Sequence, residues 1–314
     1  MKGENCMPIS EESERAMIDS NRTVGIIGLG IMGGAIAANL VKRGFAVRGY
    51  DVMPVAMERL RANGGTAVAT AAETTRGVAV VLTSLPSAKA LEETVKTLTK
   101  GAPPTLVVAE LSTFALADKE KARKALAKAG VTLLDCPLSG TGSQAKTGDL
   151  VVFASGERAA YDRIAHVFPG FTRAQFYLGA FGNGSRMKFV ANLLVAIHNV
   201  ASAEAMVLGM KAGLDPDDIV RVISSGAGNS RVFELRAPLM ARNRYKPATM
   251  KNDVWTKDLK VIGEFAKSLK VEVPLFGKIA ALNKEVIELG YGDSDTAAIC
   301  ALLEKRAKLQ RKRT

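Results

Sequence analysis

The stretch from residue 23 to residue 51 constrains this chain most, because its pattern predicts a strand, a glycine-rich turn, a helix and a second strand in immediate succession. A short β-branched run leads into Gly28-x-Gly30-x-x-Gly33. In such a pattern the first glycine allows a tight turn, the second lets the backbone approach a pyrophosphate, and the third lets the helix pack close to the strand. The helix also directs its N-terminal amides toward the phosphates. The stretch therefore predicts a dinucleotide site.

The choice of dinucleotide depends on the residue that ends the second strand. That strand, predicted from Ala46 to Tyr50, is followed by Asp51, which lies 21 residues after Gly30. A carboxylate at this distance accepts hydrogen bonds from the adenosine ribose hydroxyls. It also repels a 2′-phosphate, so Asp51 favours NAD over NADP. Arg48 in the same strand weakens this preference if its side chain turns toward the ribose. Taken without the flanking strands, helix and acid, the glycine pattern has an alternative interpretation, which is a tight turn that binds no ligand.

The length of 314 residues is enough for two domains, each with its own core. Apolar content of 47% and a mean hydropathy of +0.10 indicate a soluble, globular chain. Strand and helix patterns alternate as far as residue 178, which predicts a doubly wound, Rossmann-type parallel sheet. Beyond residue 184 every periodic segment predicts a helix, the first of them long and placed between the domains. We predict a flexible N-terminal extension (1–21), an NAD(P)-binding Rossmann domain (22–184), an all-α domain (185–304) and a basic tail (305–314).

Composition also bears on compartment and partners. No apolar run reaches the ~18 residues of a membrane span, and residues 1–21 lack the apolar core of a signal peptide. The three cysteines, Cys6, Cys136 and Cys300, form no CxxC pair, so neither a disulfide framework nor a metal site is indicated. These features favour the cytoplasm. The net charge is +12, and the last ten residues contribute six of it, which we interpret as a solvated tail rather than a nucleic-acid or membrane site.

One pair of polar residues on the long predicted helix suggests chemistry. Lys188 and Asn192 are spaced i, i+4 and point to one face of the helix among apolar residues. A lysine that snorkels to solvent beside an ordinary asparagine is the alternative. The helix begins where the nucleotide domain ends, so its first turns are expected beside the interdomain cleft. A lysine there can exchange a proton with a substrate hydroxyl while hydride moves to or from a nicotinamide.

Four separated motifs resemble the β-hydroxyacid dehydrogenase family, the group of 3-hydroxyisobutyrate dehydrogenase, tartronate semialdehyde reductase and threonate dehydrogenase, which is related to 6-phosphogluconate dehydrogenase. The motifs are Gly28-Leu-Gly-Ile-Met-Gly33 with Asn39-Leu40, Asp135-Cys-Pro-Leu-Ser-Gly140, Gly182-Asn-Gly-Ser-Arg-Met-Lys188 with Asn192, and Lys257-Asp258-Leu259. The resemblance implies a Rossmann domain, an all-α domain for substrate binding and oligomerisation, and a homodimer or homotetramer.

The resemblance also implies a role for each matched residue. Lys188 is implied to be the catalytic acid/base, and Asn192 to orient the substrate. The acid group of a small anionic hydroxy acid is implied to bind Ser139, Gly140 and Thr141. The NAD or NADP contacts are implied to be Gly28, Leu29, Gly30, Ile31, Met32, Gly33, Asp51, Leu85, Pro86, Thr113 and Lys257. No metal is implied. The expected reaction is hydride transfer between the cofactor and a 3-hydroxy acid or its semialdehyde or keto form.

Two departures leave the substrate open. The family usually has two glycines after the serine of the second motif, whereas this chain has Gly140-Thr141, and GTGSQAKTGDL resembles the branch that acts on longer polyhydroxy acids such as threonate. The usual proline after Ser112-Thr113 is missing. Alternative hypotheses are reduction of an imine or of a phosphonate-bearing ketone, and a non-catalytic nucleotide-sensing or nucleic-acid-associated protein that uses the basic tail. Lys188 argues against the imine reductase and against the non-catalytic protein.

Overall fold

A computed structural model of the chain describes residues 22–311. The predicted N-terminal extension, including Cys6, and the last three residues of the predicted tail lie outside the described residues. The described chain forms two compact units that divide between Arg186 and Met187.

The first unit is built around a sheet of six parallel strands in the order β3-β2-β1-β4-β5-β6. The strands are β1 (Thr23–Ile27), β2 (Ala46–Tyr50), β3 (Thr66–Ala67), β4 (Val80–Thr83), β5 (Val107–Glu110) and β6 (Thr132–Asp135). The connecting helices are α1 (Ile31–Lys42), α2 (Pro54–Ala62), α3 (Ala88–Leu98) and α4 (Leu116–Ala127). The strand order reverses between β1 and β4, and open α/β sheets bind ligands at such a switch point.

Burial explains why these segments form strands. Every residue of β4 and of β5 is buried, as expected for parallel strands that are covered by helices on both faces. Successive side chains of β4 belong to two different apolar clusters. Leu82 lies in the cluster on one face of the sheet, and Val81 lies in the cluster on the other. The central strands are therefore packed against apolar side chains on both faces.

A second, three-stranded sheet completes the first unit, in the order β7-β8-β9. It consists of β7 (Leu138–Ser139), β8 (Val151–Ala154) and β9 (Ala174–Tyr177), with α5 (Gly142–Thr147) and α6 (Arg158–Ile164) in the connections. β7 is antiparallel to β8, and β8 is parallel to β9. The predicted fold class, a doubly wound parallel sheet, is confirmed, but these strands form a second ladder that only an isolated bridge between Asp135 and Ser155 joins to the end of β6. Pro137 lies where β6 gives way to β7, and it has no N–H with which to continue the β6 ladder.

The segment around Pro137 also corrects one expectation from the sequence. The small and polar residues of the stretch 135–142 predict a turn outside the core, yet Asp135 and Cys136 are completely buried and Leu138 is 6% exposed. Asp135 is buried because its carboxylate has ionic and hydrogen-bonding partners inside the protein, which are described below. Cys136 and Cys300 are free cysteines.

The second unit is helical, as predicted. It continues α7 (Asn183–Lys211), which begins in the first unit, and adds α8 (Pro216–Ser224), α9 (Arg231–Ala241), α10 (Asn252–Ser268), α11 (Pro274–Val286) and α12 (Ile299–Arg306). The start of α8 follows local sequence rules, because the Asp215 side chain accepts hydrogen bonds from the backbone N–H groups of Asp217 and Asp218 and Pro216 occupies the first turn. α12 continues through Lys305 and Arg306, at the beginning of the predicted tail.

The long helix α7 is apolar enough to pass a membrane-span test by length and composition. It has 29 residues, and one 18-residue window in it has a mean hydropathy of 1.6. Of that window, 39% is buried inside the protein. The sequence predicted no apolar run of this length, and α7 differs from that prediction when length and mean hydropathy are the criteria. In α7 such runs are interrupted by polar residues, and Asn192, Asn199 and Ser202 are buried, as is typical of the core helix of a helical domain.

Candidate active site

In the glycine-rich turn at the end of β1, the fold requires glycine at two positions but not at the third. Gly28 has φ +90°, and a Cβ there would lie 2.1 Å from the Ser84 carbonyl oxygen. A Cβ on Gly33 would lie 1.9 Å from the Gly28 carbonyl oxygen. Gly30 has an ordinary φ of −63°, and no atom other than those of its chain neighbours lies within 4 Å of the place where its Cβ would be. The space in front of Gly30 is therefore open to a ligand, which fits the close approach of a pyrophosphate.

The remaining residues of the turn begin α1. Leu29 is buried, Met32 packs against the core, and Ile31 is 72% exposed at the first position of the helix. An exposed apolar side chain beside an open glycine is a suitable contact for a bound cofactor.

Asp51 ties the end of β2 to this turn. Its Oδ2 accepts a hydrogen bond from the Leu29 N–H at 2.6 Å, and its Oδ1 accepts one from the Met53 N–H at 2.8 Å. The Arg48 Nε donates to the carbonyl oxygen of Glu73 at 3.4 Å. The Arg48 side chain is thus directed to the backbone of Glu73.

Two loops at the carboxyl ends of neighbouring strands contain the other predicted cofactor contacts of this unit. Leu85 and Pro86 follow β4, and Thr113 follows β5. The loops are joined, because the Leu85 N–H donates to Ser112 Oγ at 2.8 Å. The Ser112 N–H in turn donates to Glu110 Oε1 at 2.8 Å. Together with the glycine turn, these loops lie at the carboxyl edge of adjacent strands.

The predicted acid-binding segment forms a turn between β7 and α5. Ser139 ends β7, and Gly140 has φ +136°, a conformation that side-chain-bearing residues rarely adopt. Thr141 is the N-cap of α5 and forms a reciprocal capping box with Gln144. The Thr141 N–H donates to Gln144 Oε1 at 3.0 Å, and Gln144 Nε2 donates to Asp149 Oδ2 at 3.0 Å. The threonine that replaces the usual glycine therefore caps a helix, and its N–H already has a partner.

Lys188, Asn192 and Lys257 belong to the second unit, where a buried carboxylate lies among them. Lys188 and Asn192 are 7% and 4% exposed. Asn192 Nδ2 donates to Asp258 Oδ2 at 3.1 Å, and Lys257 Nζ lies 3.6 Å from Asp258 Oδ1. Burial lowers the pKa of Lys188 to about 8, the negative charge of Asp258 opposes this, and the positive charge of Lys257 adds to it. Burial also raises the pKa of Asp258.

Asp258 is the residue of this cluster to which the sequence analysis assigned no role. It stands in the quoted motif Lys257-Asp258-Leu259, but its contact with Asn192 spans 66 residues of sequence. The signal that points to it is its place next to Lys257 on a helix. In the part of the chain that the structure describes, no cluster of His, Cys, Asp or Glu side chains is suited to a metal ion.

Comparisons with known proteins agree with this architecture. Residues 23–179 match the family model of the NAD binding domain of 6-phosphogluconate dehydrogenase, and residues 182–303 match the model NAD-binding of NADP-dependent 3-hydroxyisobutyrate dehydrogenase. An L-threonate dehydrogenase of Cupriavidus necator is 33% identical over 284 residues, which cover 89% of this chain and 95% of that protein.

Solved structures show the similarity over most of the chain. The crystal structure of 3-hydroxyisobutyrate dehydrogenase from Salmonella typhimurium has a TM-score of 0.79 at 30% identity and covers 89% of this chain and 99% of its own. The Mycobacterium tuberculosis 3-hydroxyisobutyrate dehydrogenase with L-serine has a TM-score of 0.81 at 27% identity and covers 90% and 99%.

The NAD-binding domain, the helical domain and the relatives define an NAD(P)-dependent oxidoreductase of small hydroxy acids. The chain belongs to the β-hydroxyacid dehydrogenase family. The prediction of this family from four motifs is confirmed, and so are the enzyme class and NAD as cofactor, with NADP possible among relatives.

Proposed function

We propose that this enzyme oxidises a small polyhydroxylated 3-hydroxy acid of the threonate class with NAD, and that Lys188 is its acid/base. The observation that carries the proposal is the buried Lys188, whose pKa is lowered to about 8 by burial. A general acid/base works best when its pKa is near the working pH, and a solvated lysine is too basic for this task.

The proton and the hydride leave the substrate hydroxyl and its carbon in one oxidation. Neutral Lys188 accepts the hydroxyl proton while the carbon-bound hydrogen leaves as hydride, so the alcohol becomes a carbonyl. A nicotinamide bound in the first unit would supply the hydride acceptor. Asn192 orients the hydroxyl, and Asp258 holds the Asn192 amide at 3.1 Å. In the reverse direction, charged Lys188 returns the proton to the carbonyl oxygen.

The acid end of the substrate is assigned to the turn Ser139 to Thr141. The Ser139 hydroxyl and the backbone of Gly140 contact the anion, and Thr141 keeps the turn in shape as the N-cap of α5. The similarity to L-threonate dehydrogenases supports a substrate with several hydroxyl groups. The same turn accepts a phosphonate in place of a carboxylate, so a hydroxyalkylphosphonate belongs in the test.

NAD is assigned to residues 28–33, Asp51, Leu85, Pro86 and Thr113, with Lys257 contributing from the helical unit. The Asp51 carboxylate repels a 2′-phosphate, and the Arg48 Nε donates to the Glu73 carbonyl oxygen. We further propose the domain boundaries 22–184 and 185–304, a homodimer or homotetramer assembled through the helical domain, and a cytoplasmic enzyme without a nucleic-acid or membrane partner.

The test is the appearance of reduced cofactor when the purified full-length protein meets NAD or NADP with a panel of acids. The panel contains L-threonate, 3-hydroxyisobutyrate, glycerate, L-serine and a hydroxyalkylphosphonate. We expect the highest kcat/KM with L-threonate and NAD, and at least tenfold less with NADP. A preference for 3-hydroxyisobutyrate or for the phosphonate contradicts the substrate class, and silence with every acid despite NAD binding contradicts the reaction.

A further inference from the structure

A completely buried lysine lies in the first unit, outside the four family motifs. Lys119 is on α4 and has no exposed surface. Its Nζ lies 2.6 Å from Glu110 Oε2, at the end of β5, and 2.7 Å from Asp135 Oδ1, at the end of β6. Burial alone would lower the pKa of Lys119, but the charges of Asp135 and Glu110 outweigh it and raise the pKa above its ordinary value. The ammonium is therefore charged at any physiological pH.

The Glu110 side of this cluster reaches the loops assigned to NAD. The Glu110 carboxylate, which pairs with Lys119 through Oε2, also accepts a hydrogen bond from the Ser112 N–H through Oε1 at 2.8 Å. The Ser112 hydroxyl oxygen accepts the Leu85 N–H at 2.8 Å. A single buried carboxylate thus holds the loop after β5 directly and the loop after β4 through one side chain.

The Asp135 side of the cluster reaches the first turn of α7. Asp135 Oδ2 accepts the Ser185 N–H at 2.7 Å, and Oδ1 accepts the Ser185 hydroxyl at 2.7 Å. Close packing supports this anchor, because a Cβ on Gly184 would lie 2.2 Å from the Phe153 carbonyl oxygen. The positive end of the helix dipole helps to offset the second carboxylate. Lys188 follows Ser185 by three residues on the same helix.

We propose that Lys119 is a positioning residue for hydride and proton transfer. Its ammonium keeps Glu110 and Asp135 ionised and in place, so that Glu110 holds the cofactor loops and Asp135 holds the start of the helix that carries the acid/base. The proposal rests on the roles given above to Leu85, Thr113 and Lys188. A role in stability alone explains the cluster poorly, because apolar residues of similar volume usually serve a core at least as well as a buried ion group. Both carboxylates instead direct their second oxygen to backbone N–H groups of site segments.

Conservative variants separate the two sides of the cluster. In Asp135→Asn one acceptor oxygen becomes a donor that opposes the Ser185 N–H or Lys119, whereas the contacts of Glu110 with Lys119 and with the Ser112 N–H are kept. We expect its kcat on L-threonate, or on the panel acid turned over fastest, to fall at least tenfold, with the NAD Kd from calorimetry within threefold of wild type. In Glu110→Gln we expect the opposite: an NAD Kd at least fivefold weaker, and a kcat at saturating NAD within threefold.

Two lysine variants on α4 complete the set. Lys119→Met removes the charge shared by both carboxylates, so both kcat and the NAD Kd should worsen. The matched control is Lys124→Met, which removes an exposed charge from the same helix and should leave both values unchanged. Near-UV circular dichroism gives the folded fraction, to which every rate is normalised.

The outcomes decide the proposal even when one variant fails. If the Asp135→Asn and Glu110→Gln proteins have normal kcat and NAD Kd per folded molecule, the cluster is structural and the proposal is wrong. If Lys119→Met does not fold, the split between the other two variants still decides. If the wild type turns over no acid of the panel, the proposed substrate class fails, but calorimetry with NAD needs no substrate, and an unchanged Kd for Glu110→Gln then overturns the proposal by itself.

Discussion

Lys188 and Lys119 are both buried lysines on helices, but their electrostatic surroundings are opposite. Around Lys188 burial outweighs the attraction of Asp258, and the pKa falls to about 8. Around Lys119 two carboxylates within 2.7 Å outweigh burial, and the pKa rises. The first lysine can therefore release and accept a proton near neutral pH, whereas the second is a permanent charge. This difference assigns Lys188 to proton transfer and Lys119 to positioning.

The lowered pKa of Lys188 predicts the pH dependence of turnover. Oxidation needs the neutral amine, so kcat/KM for the hydroxy acid should rise with pH through about 8 and level off above it. Reduction of the carbonyl form needs the ammonium and should fall over the same range. Lys188→Met should lose about 10³-fold in kcat and lose this pH dependence, with the NAD Kd within threefold of wild type.

The control for this prediction is Lys211→Met, at the exposed end of the same helix, which should keep normal kinetics. Steady-state rates from pH 6 to 10 and calorimetric titration with NAD make the measurement. A Lys188→Met protein with near-normal turnover would contradict the mechanism.

Among the elements, the turn between β1 and α1 was the most predictable, because its requirements are local. The glycine spacing marks positions where a side chain would not fit, and in the structure a Cβ on Gly28 or on Gly33 would clash with neighbouring backbone. β2 was predicted with the bounds that it has, since Gly44 and Asp51 flank it. The small second sheet was not predicted as separate, because β7 has only two residues and a strand that short has no periodicity to detect.

Substitutions of these glycines should separate folding from binding. Gly30→Ala places a methyl group in open space, so the variant should unfold at the wild-type temperature and yet bind NAD at least tenfold more weakly. Gly33→Ala places a methyl group 1.9 Å from the Gly28 carbonyl oxygen, so it should lower the thermal midpoint and also impair NAD binding. Thermal unfolding and calorimetry make the comparison. Normal NAD affinity in Gly30→Ala would contradict the assignment of the pyrophosphate to the space at Gly30.

At the scale of the whole molecule, part of the predicted basic tail is attached to the helical unit. The Arg311 guanidinium donates to the carbonyl oxygens of Met240 and Ala241 at the end of α9, and it pairs with Glu304 on α12. Cations near a helix C-terminus satisfy its last carbonyl groups. The positive charge of the predicted tail therefore did not show that Arg311 binds the helical unit rather than solvent.

This anchor predicts a loss of stability without a loss of chemistry. Arg311→Ala should lower the free energy of unfolding of the helical unit by about 1–3 kcal/mol, since it leaves a partly buried carboxylate and two carbonyl groups without this donor. The exposed Lys305→Ala on α12 should change it by less than about 0.5 kcal/mol. Urea unfolding followed by circular dichroism tests both, and kcat should stay normal in both. A stable Arg311→Ala protein with impaired turnover would instead connect the chain end to catalysis.

The sequence alone determined the nucleotide turn, the alternation of strand and helix, the helical second half, and the motifs that place the chain in its family. Each of these depends on residues that are close together along the chain, where spacing, caps and periodicity act. The tertiary structure decided which lysines are buried, which carboxylates face them, and how Thr141 is used. The deciding contacts join residues far apart in sequence, such as Asn192 with Asp258 across 66 positions and Ser185 with Asp135 across 50. Burial and charge depend on those neighbours in space, so local sequence patterns do not contain them.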